Sequence, residues 1–238
     1  MTIQGLSAEE RFTATCQDIL HRFGVKLTLG HDFEEYRTLM AQGREGHILG
    51  APFDPSVHNL NKSNAVWVVG HDENGALMHT QALRLLDLNG DSLGGYLRRR
   101  FREFPPSGLD LDMGRSRYKV GPGAKRMRGQ IVYHGEVWMG GTPGQFRGTG
   151  ISSLLGRFAF LTALQKWAPD YVFGFMPNQV AHKGFVTRQG YMHAEPFALR
   201  WYMKGQADPL EGYLAYMSRE DMQFVLDMPE SELDALAA

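Results

Sequence analysis

A strand, a glycine-rich turn and a long apolar helix follow one another between residues 130 and 167, and this order constrains the fold most strongly. The pattern predicts a strand over 130–139 and a helix over 151–167. Backbone amides at the start of a helix lack partners within the helix and attract anions. Gly148 and Gly150 would let a phosphate approach closely, and Arg147 adds a cation. Taken by itself, the glycine pair indicates either a phosphate-binding turn or a plain turn.

Two common phosphate motifs do not fit this turn. A P-loop needs a lysine directly after its last glycine, and no lysine follows Gly150. The dinucleotide fingerprint needs three glycines at a spacing that differs from that of Gly148, Gly150 and Gly156. Neither motif therefore describes this turn.

The remaining periodicities predict one domain over residues 1–238. Asn74-Gly75 separates two apolar runs and predicts an antiparallel hairpin of strands 65–69 and 76–86. Residues 91–129 form a long basic insertion with one helix around 96–104. The other predicted elements are helices 12–23, 32–42 and 178–188, strands 25–29, 171–176 and 197–203, and a helical tail over 209–238.

Composition narrows the class of protein and its surroundings. The chain has 238 residues, 43% of them hydrophobic, which is ordinary for a globular protein. No apolar run is long enough to predict a transmembrane helix, and the first residues lack the order of a secretory signal. The single cysteine, Cys16, and the unpaired histidines predict no disulfide and no metal site. The expected location is the cytoplasm.

The charges are unevenly distributed although the net charge is only −1. Ten Lys or Arg residues lie between Arg98 and Arg128, against three acidic residues. This segment is either a solvated loop or a surface for an anionic partner. Nucleic acid is not an expected partner, because aromatic residues are not regularly interleaved with the basic ones.

Two segments resemble a known family. The turn Gln145-Phe-Arg-Gly148-Thr-Gly150 resembles the signature Gln/Arg-x-x-Gly-x-Gly/Ala of the GNAT superfamily of N-acyltransferases. Downstream of strand 171–176, the chain is similar to that family's second pattern at Asn178, Ala181, Phe185 and Gly190-Tyr191. The resemblance implies an α/β fold (α+β in some schemes) whose mixed sheet splays between strands 130–139 and 171–176 and is flanked by helices.

The same resemblance implies acetyl-CoA or another acyl-CoA as co-substrate. Its pantetheine arm would lie in the splay and its pyrophosphate on the turn. The implied cofactor-binding residues are Trp138, Met139, Gly140, Gln145, Phe146, Arg147, Gly148, Thr149, Gly150, Ile151 and Asn178.

Transfer to an amine also needs a base that removes a proton from the nucleophile. The two-residue period of a strand places His134 and Glu136 on one face, so both are expected to point into the acceptor cleft. Glu136 is the preferred base, because a charged residue in an apolar run calls for an explanation. The alternative is that both side chains face solvent.

The general acid is less well defined by the sequence. Val186 follows Phe185 where the family usually has a tyrosine beside the thiol. Solvent or another group, such as Tyr191, would then protonate the thiolate, although packing is the simpler role for Tyr191.

The sequence therefore predicts an enzyme that transfers an acetyl or other acyl group from acyl-CoA to an amine on a small molecule or a protein. One alternative is a transferase like the acyl-homoserine-lactone synthases, which would use acyl carrier protein and suit the basic insertion. Another is a non-catalytic acyl-CoA-binding module. The acceptor, the acyl chain length and the oligomeric state, including a homodimer, stay open.

Overall fold

The computed structural model describes residues 8–142 and 144–227, which build one eight-stranded sheet flanked by helices. The strands are β1 (Lys26–Gly30), β2 (Ala65–His71), β3 (Leu77–Leu86), β4 (Arg117–Tyr118), β5 (Ile131–Met139), β6 (Tyr171–Pro177), β7 (His193–Tyr202) and β8 (Pro209–Ser218). The helices are α1 (Ala8–Arg22), α2 (Phe33–Gly43), α3 (Leu93–Arg100), α4 (Pro122–Arg126), α5 (Ile151–Trp167), α6 (Asn178–Ala181), α7 (Phe185–Arg188) and α8 (Arg219–Leu226).

The sheet is mixed, with the strand order β1-β2-β3-β5-β6-β8-β7-β4. Strands β5 and β6 run parallel, and the other neighbouring pairs are antiparallel. The predicted hairpin is confirmed as β2 and β3, and Gly75 has the positive φ that its turn requires.

The parallel pair at the centre of the sheet separates after three residues. Ile131 to Tyr133 pair with Tyr171 to Phe173, whereas β5 continues to Met139 and β6 to Pro177. The two strands therefore splay toward their carboxyl ends. The predicted mixed, splayed sheet flanked by helices is confirmed.

Each face of the sheet carries its own apolar core. On one face α5 packs against the sheet and contacts helices α1 and α8, and the largest core cluster joins these elements. Most residues of α5 are buried, because it is enclosed on several sides. The other face is covered by α2 and by the segment that contains α3 and α4.

The predicted helical tail over 209–238 is wrong in its first part. Residues Pro209–Ser218 form β8, which lies between β6 and β7 and pairs with both. The helix begins only at Arg219, where Ser218 and Asp221 form a capping box. Residues 228–238 lie outside the described part of the chain.

Two other predicted segments differ in detail. The helix predicted over 178–188 is two short helices, α6 and α7, and Gly184 between them has a φ of +77°. The basic insertion contains α3, β4 and α4 rather than one helix, and Ser92 caps α3. Among the described helices, none has both the length and the apolar composition that crossing a membrane requires.

Candidate functional site

The splay between β5 and β6 opens toward the glycine-rich turn. Both strands end at the same edge of the sheet because they run parallel. There β5 leads into the turn over 140–150, and β6 leads into α6. The predicted phosphate-binding turn and the segment that begins at Asn178 are thus brought to one edge.

Backbone groups of the turn are presented at the start of α5. Gly148 and Gly150 have φ angles of +80° and +66°, and Gly150 precedes the first residue of the helix. Within the described residues, the amides of these two glycines donate to no protein acceptor. The amide of Ile151 has only a 3.4 Å contact with the Thr149 hydroxyl oxygen. Free amides at the positive end of a helix dipole are suited to an anion.

Two side chains of the turn have structural roles. The Gln145 side-chain oxygen accepts a hydrogen bond from the Thr142 amide at 3.0 Å. The Phe146 ring packs edge-on against Phe23, which follows α1, with 6.5 Å between the ring centroids. Arg147 is exposed. The backbone amides and Arg147 are therefore the groups that the turn offers to a ligand.

The end of β5 is already bonded to β3. The Trp138 carbonyl oxygen lies 2.8 Å from the His79 Nδ1 atom, and the Gly140 amide donates to Met78 at 2.8 Å. The Trp138 ring lies 4.9 Å from the Arg44 guanidinium, while Met139 packs against the main core on the opposite face. The Trp138 carbonyl and the Gly140 amide are therefore bonded within the sheet, and the contact of this strand end with pantetheine stays a prediction.

Asn178 has a buried atom without a partner. Its side-chain nitrogen donates to Glu211 at 3.2 Å. Its side-chain oxygen is buried and has no hydrogen-bond donor among the described residues. A buried acceptor without a donor is uncommon in native proteins and fits a site that receives an N–H from a ligand.

The expectation that His134 and Glu136 share one face is wrong. Thr80 pairs with Trp138 and Ala82 with Gly135, so β5 has one residue more than β3 in this stretch. This is a β-bulge, and Glu136 within it has a φ of +56°. The bulge shifts the alternation of side chains between the two faces of the sheet. Its extra residue places Glu136 on the face opposite His134.

Glu136 is held by polar groups of the segment that follows α2. One carboxylate oxygen lies 2.8 Å from His47 Nε2, and the other accepts the Gly50 amide at 2.9 Å. Arg44 lies 3.7 Å from the carboxylate, and the Glu136 side chain is only 8% exposed. These contacts therefore hold a nearly buried carboxylate in a defined orientation.

His134 lies in the apolar core between β5 and α5. Its ring nitrogens contact the Tyr191 hydroxyl at 3.0 Å and the Gln81 side-chain oxygen at 3.2 Å. Burial and the nearby His79 lower the pKa of His134 to about 3. Burial raises the pKa of the Tyr191 hydroxyl well above its usual value, and this ring packs against Phe160. His134 and Tyr191 thus form a neutral buried pair away from the cavity.

A cavity of about 550 Å³ lies on the face that Glu136 points to. Its wall includes Glu136 from β5 and Asn178 from α6, and therefore reaches both sides of the splay. Most of the remaining wall is apolar and comes from five elements or loops: Pro52, Phe53, Phe104, Pro105, Pro106, Leu109, Phe175, Met176, Leu199, Trp201 and Leu210.

Sequence reasoning missed the residues that hold Glu136. Arg44, His47 and Gly50 lie some 90 positions before it in the chain, in a segment without regular structure. In the sequence, the indication of such a role was the pair of basic residues, Arg44 and His47, shortly after the end of α2. Among the described residues, no group of three or more His, Cys, Asp or Glu side chains is arranged for a metal ion.

Comparisons with known proteins give similarity only at the level of structure. No family model matches the sequence, and no curated protein matches it. An N-acetyltransferase from Staphylococcus aureus is similar over 82% of this chain and 98% of that chain, with 14% identity and a TM-score of 0.44. Arabidopsis thaliana NAA60 in complex with acetyl-CoA is similar over 82% and 98%, with 13% identity and a TM-score of 0.46.

A third structure is spermidine N-acetyltransferase from Vibrio cholerae in complex with CoA and spermine. It is similar over 83% of this chain and 98% of that chain, with 11% identity and a TM-score of 0.42. Because these identities and TM-scores are low, the function of this chain is inferred below from its own geometry.

Proposed function

We propose that this chain transfers an acyl group from acyl-coenzyme A to an amine on a small molecule or a protein. One observation carries the proposal. Glu136 lines a cavity whose wall reaches the splay between β5 and β6, and the turn with free amides lies at the open end of that splay. These three features fit a base, a slot for a thioester arm and a phosphate site.

The residues around the splay fit coenzyme A. The pyrophosphate would bind the amides of Gly148, Gly150 and Ile151, with Arg147 as a counter-charge. The side-chain oxygen of Asn178 would accept an amide N–H of pantetheine, since it has no donor among the described residues. Gln145 and Phe146 would support the turn rather than touch the ligand.

Glu136 would act as the general base. The amine nitrogen attacks the thioester carbonyl carbon, the N–C bond forms, the C–S bond breaks and the carboxylate takes the proton of the nucleophile. The products are an amide and coenzyme A, whose thiolate takes up a proton. His47, Gly50 and Arg44 are positioning residues, because they orient the carboxylate.

Replacing the base tests catalysis separately from binding. Glu136→Gln keeps an acceptor for the Gly50 amide but removes the proton acceptor, so turnover should fall about 100-fold or more. The affinity for acyl-CoA should stay unchanged. Thiol release in a panel of amines measures turnover, and calorimetry measures affinity.

The exposed Glu45 lies in the same segment and provides the matched control, Glu45→Gln, which should keep full turnover. Full turnover in Glu136→Gln would show that Glu136 is not the base. No turnover by the parent chain with any amine, together with intact binding, would favour a non-catalytic acyl-CoA-binding module.

Blocking the turn tests the cofactor site. Gly148 has open space around it and a positive φ, so Gly148→Ala and Gly148→Glu carry the same backbone strain. Only the glutamate places bulk and negative charge where the pyrophosphate would bind. Free CoA should raise the melting temperature of the parent and the alanine variant but not of the glutamate variant. Equal stabilisation of all three chains would place the phosphate elsewhere.

An acyl carrier protein is a second candidate donor, because all ten basic residues between Arg98 and Arg128 are exposed. An acidic carrier protein would bind such a surface mainly through charge. Its binding should then weaken strongly as salt rises from low to moderate concentration, and Lys119→Glu should weaken it further. Binding that does not respond to salt or to this substitution would remove the second candidate.

A further inference from the structure

The cavity next to Glu136 extends much farther than an acetyl group requires. Its wall begins at Glu136 on β5, crosses β6 and β8, and ends at Leu199 and Trp201 on β7. Three interstrand spacings of about 4.8 Å each give it a length of roughly 14 Å across the sheet. An acetyl group would fill a small part of this space.

The far part of the cavity is apolar. Phe104 packs edge-on against Tyr133 on β5 and Phe175 on β6, with ring centroids 4.9 Å and 5.8 Å apart, and lines the cavity over these two strands. Leu199 and Trp201 on β7 are almost completely buried. A surface of this composition is suited to a hydrocarbon or aromatic group.

The one carboxylate in the far part is already paired. Glu211 accepts hydrogen bonds from Arg200 at 3.0 Å and from Asn178 at 3.2 Å. Glu136 lies at the other end of the cavity, on β5. Both carboxylates of the cavity wall are therefore engaged by neighbouring groups, and most of the far wall is apolar.

Gly212 on β8 keeps the far part open. Its backbone lies outside the left-handed region, so the conformation does not require glycine. A Cβ atom there would lie 3.3 Å from the Met176 carbonyl oxygen and 3.7 Å from the Leu199 Cβ atom. A larger side chain at this position would project between β7 and β8 and shorten the cavity.

We infer that this cavity binds the acyl chain of the donor, and that the donor is a medium- or long-chain acyl-CoA rather than acetyl-CoA. The inference rests on the function proposed above. The amine must reach Glu136 and therefore occupies the β5 end. The thioester enters between β5 and β6, so its acyl chain continues over β8 toward β7, away from the base.

Binding of a chain-length series tests the inference on the full chain. Calorimetry with free CoA, acetyl-CoA, hexanoyl-CoA and decanoyl-CoA should show affinity that rises roughly tenfold for every two methylene groups until the cavity is filled. Equal affinity for acetyl-CoA and decanoyl-CoA, with free CoA still bound, would overturn the inference and leave the proposed function intact. Failure of all four compounds to bind would overturn both.

Two variants locate the chain in the cavity. Gly212→Val should lower the affinity for decanoyl-CoA at least tenfold toward the value for acetyl-CoA and leave acetyl-CoA binding unchanged. Leu109→Asp should also lower the affinity for decanoyl-CoA. Because Leu109 is 39% exposed, this variant should fold and provides the test if the valine variant does not. The matched control is Leu29→Asp, since Leu29 is 47% exposed on β1 at the opposite edge of the sheet.

An apolar acceptor is the competing occupant of the same space. Octylamine titrated into the protein saturated with free CoA, which has no acyl group to transfer, tests it directly. The inference would be overturned, and the cavity assigned to the acceptor, by two results together. Octylamine would bind and lose its binding in Gly212→Val, and the affinity for acyl-CoA would not change with chain length. An affinity for acyl-CoA that rises with chain length in the parent, but not in Gly212→Val, supports the inference.

Discussion

At the scale of single residues, His134 and Glu136 are two positions apart but have opposite environments. Glu136 is oriented by His47 and Gly50 at the cavity, whereas His134 is enclosed by Gln81 and Tyr191 in the core. The sequence offered both as candidate bases, and the structure leaves only Glu136 next to the cavity. Their separation onto two faces depends on a bulge that side-chain periodicity does not reveal.

The buried histidines should make stability depend on pH. Burial lowers the pKa of His79 to about 4 and that of His134 to about 3, against 6.5 for an unfolded histidine. Below pH 6.5 the unfolded chain takes up protons that the folded chain does not, so stability falls as the pH decreases toward 4. His134 alone should remove about 2 kcal/mol between pH 7 and pH 5.

His134→Gln removes this titration and places a neutral amide, which can still form hydrogen bonds, at the position. The loss of unfolding free energy between pH 7 and pH 5 should therefore be smaller by about 2 kcal/mol in the variant. Urea unfolding at the two pH values measures the difference. An identical loss in the parent and the variant would show that His134 is protonated in the folded chain.

At the scale of elements, α5 and the β2–β3 hairpin were predicted within one or two residues, whereas β8 was missed. Local signals predict α5 and the hairpin: a glycine turn precedes the apolar helix, and Asn-Gly separates the two apolar runs of the hairpin. In β8, the apolar residues Leu210, Leu214 and Met217 have helical spacing, and helix formers surround them. Pairing with β6 and β7 overrides this tendency.

Charge placed at two positions of β8 tests its central role. Leu214 is fully buried and Leu210 is 37% exposed. Leu214→Asp should cost at least about 3 kcal/mol of unfolding free energy, because it buries an unpaired charge and removes an apolar side chain. Leu210→Asp is the matched control and should cost about 1 kcal/mol or less. Equal costs would argue against β8 as a core strand.

At the scale of the whole molecule, the splayed sheet separates two tasks. One face carries α1, α5 and α8 over the main core, and the turn before α5 offers amides to an anion. The other face holds Glu136 and the apolar cavity, whose wall combines the segment after α2, the basic insertion and strands β5 to β8. The splay is the passage between them, because β5 and β6 pair over only three residues.

By itself the sequence determined the α/β class, the central strand–turn–helix unit and the candidate positions Gly148, Gly150, Asn178 and Glu136. The strand–turn–helix unit and its glycines follow from patterns within a few residues, where backbone propensity and spacing dominate. Glu136 stood out as a charged residue in an apolar run, whereas the α/β class and Asn178 were implied by the family resemblance of the two segments. Only the tertiary structure decided which face Glu136 occupies, that residues 209–218 form a strand, and how large the cavity is. Each of these depends on contacts between segments far apart in the chain, and such contacts produce no periodic pattern of residues in the local sequence.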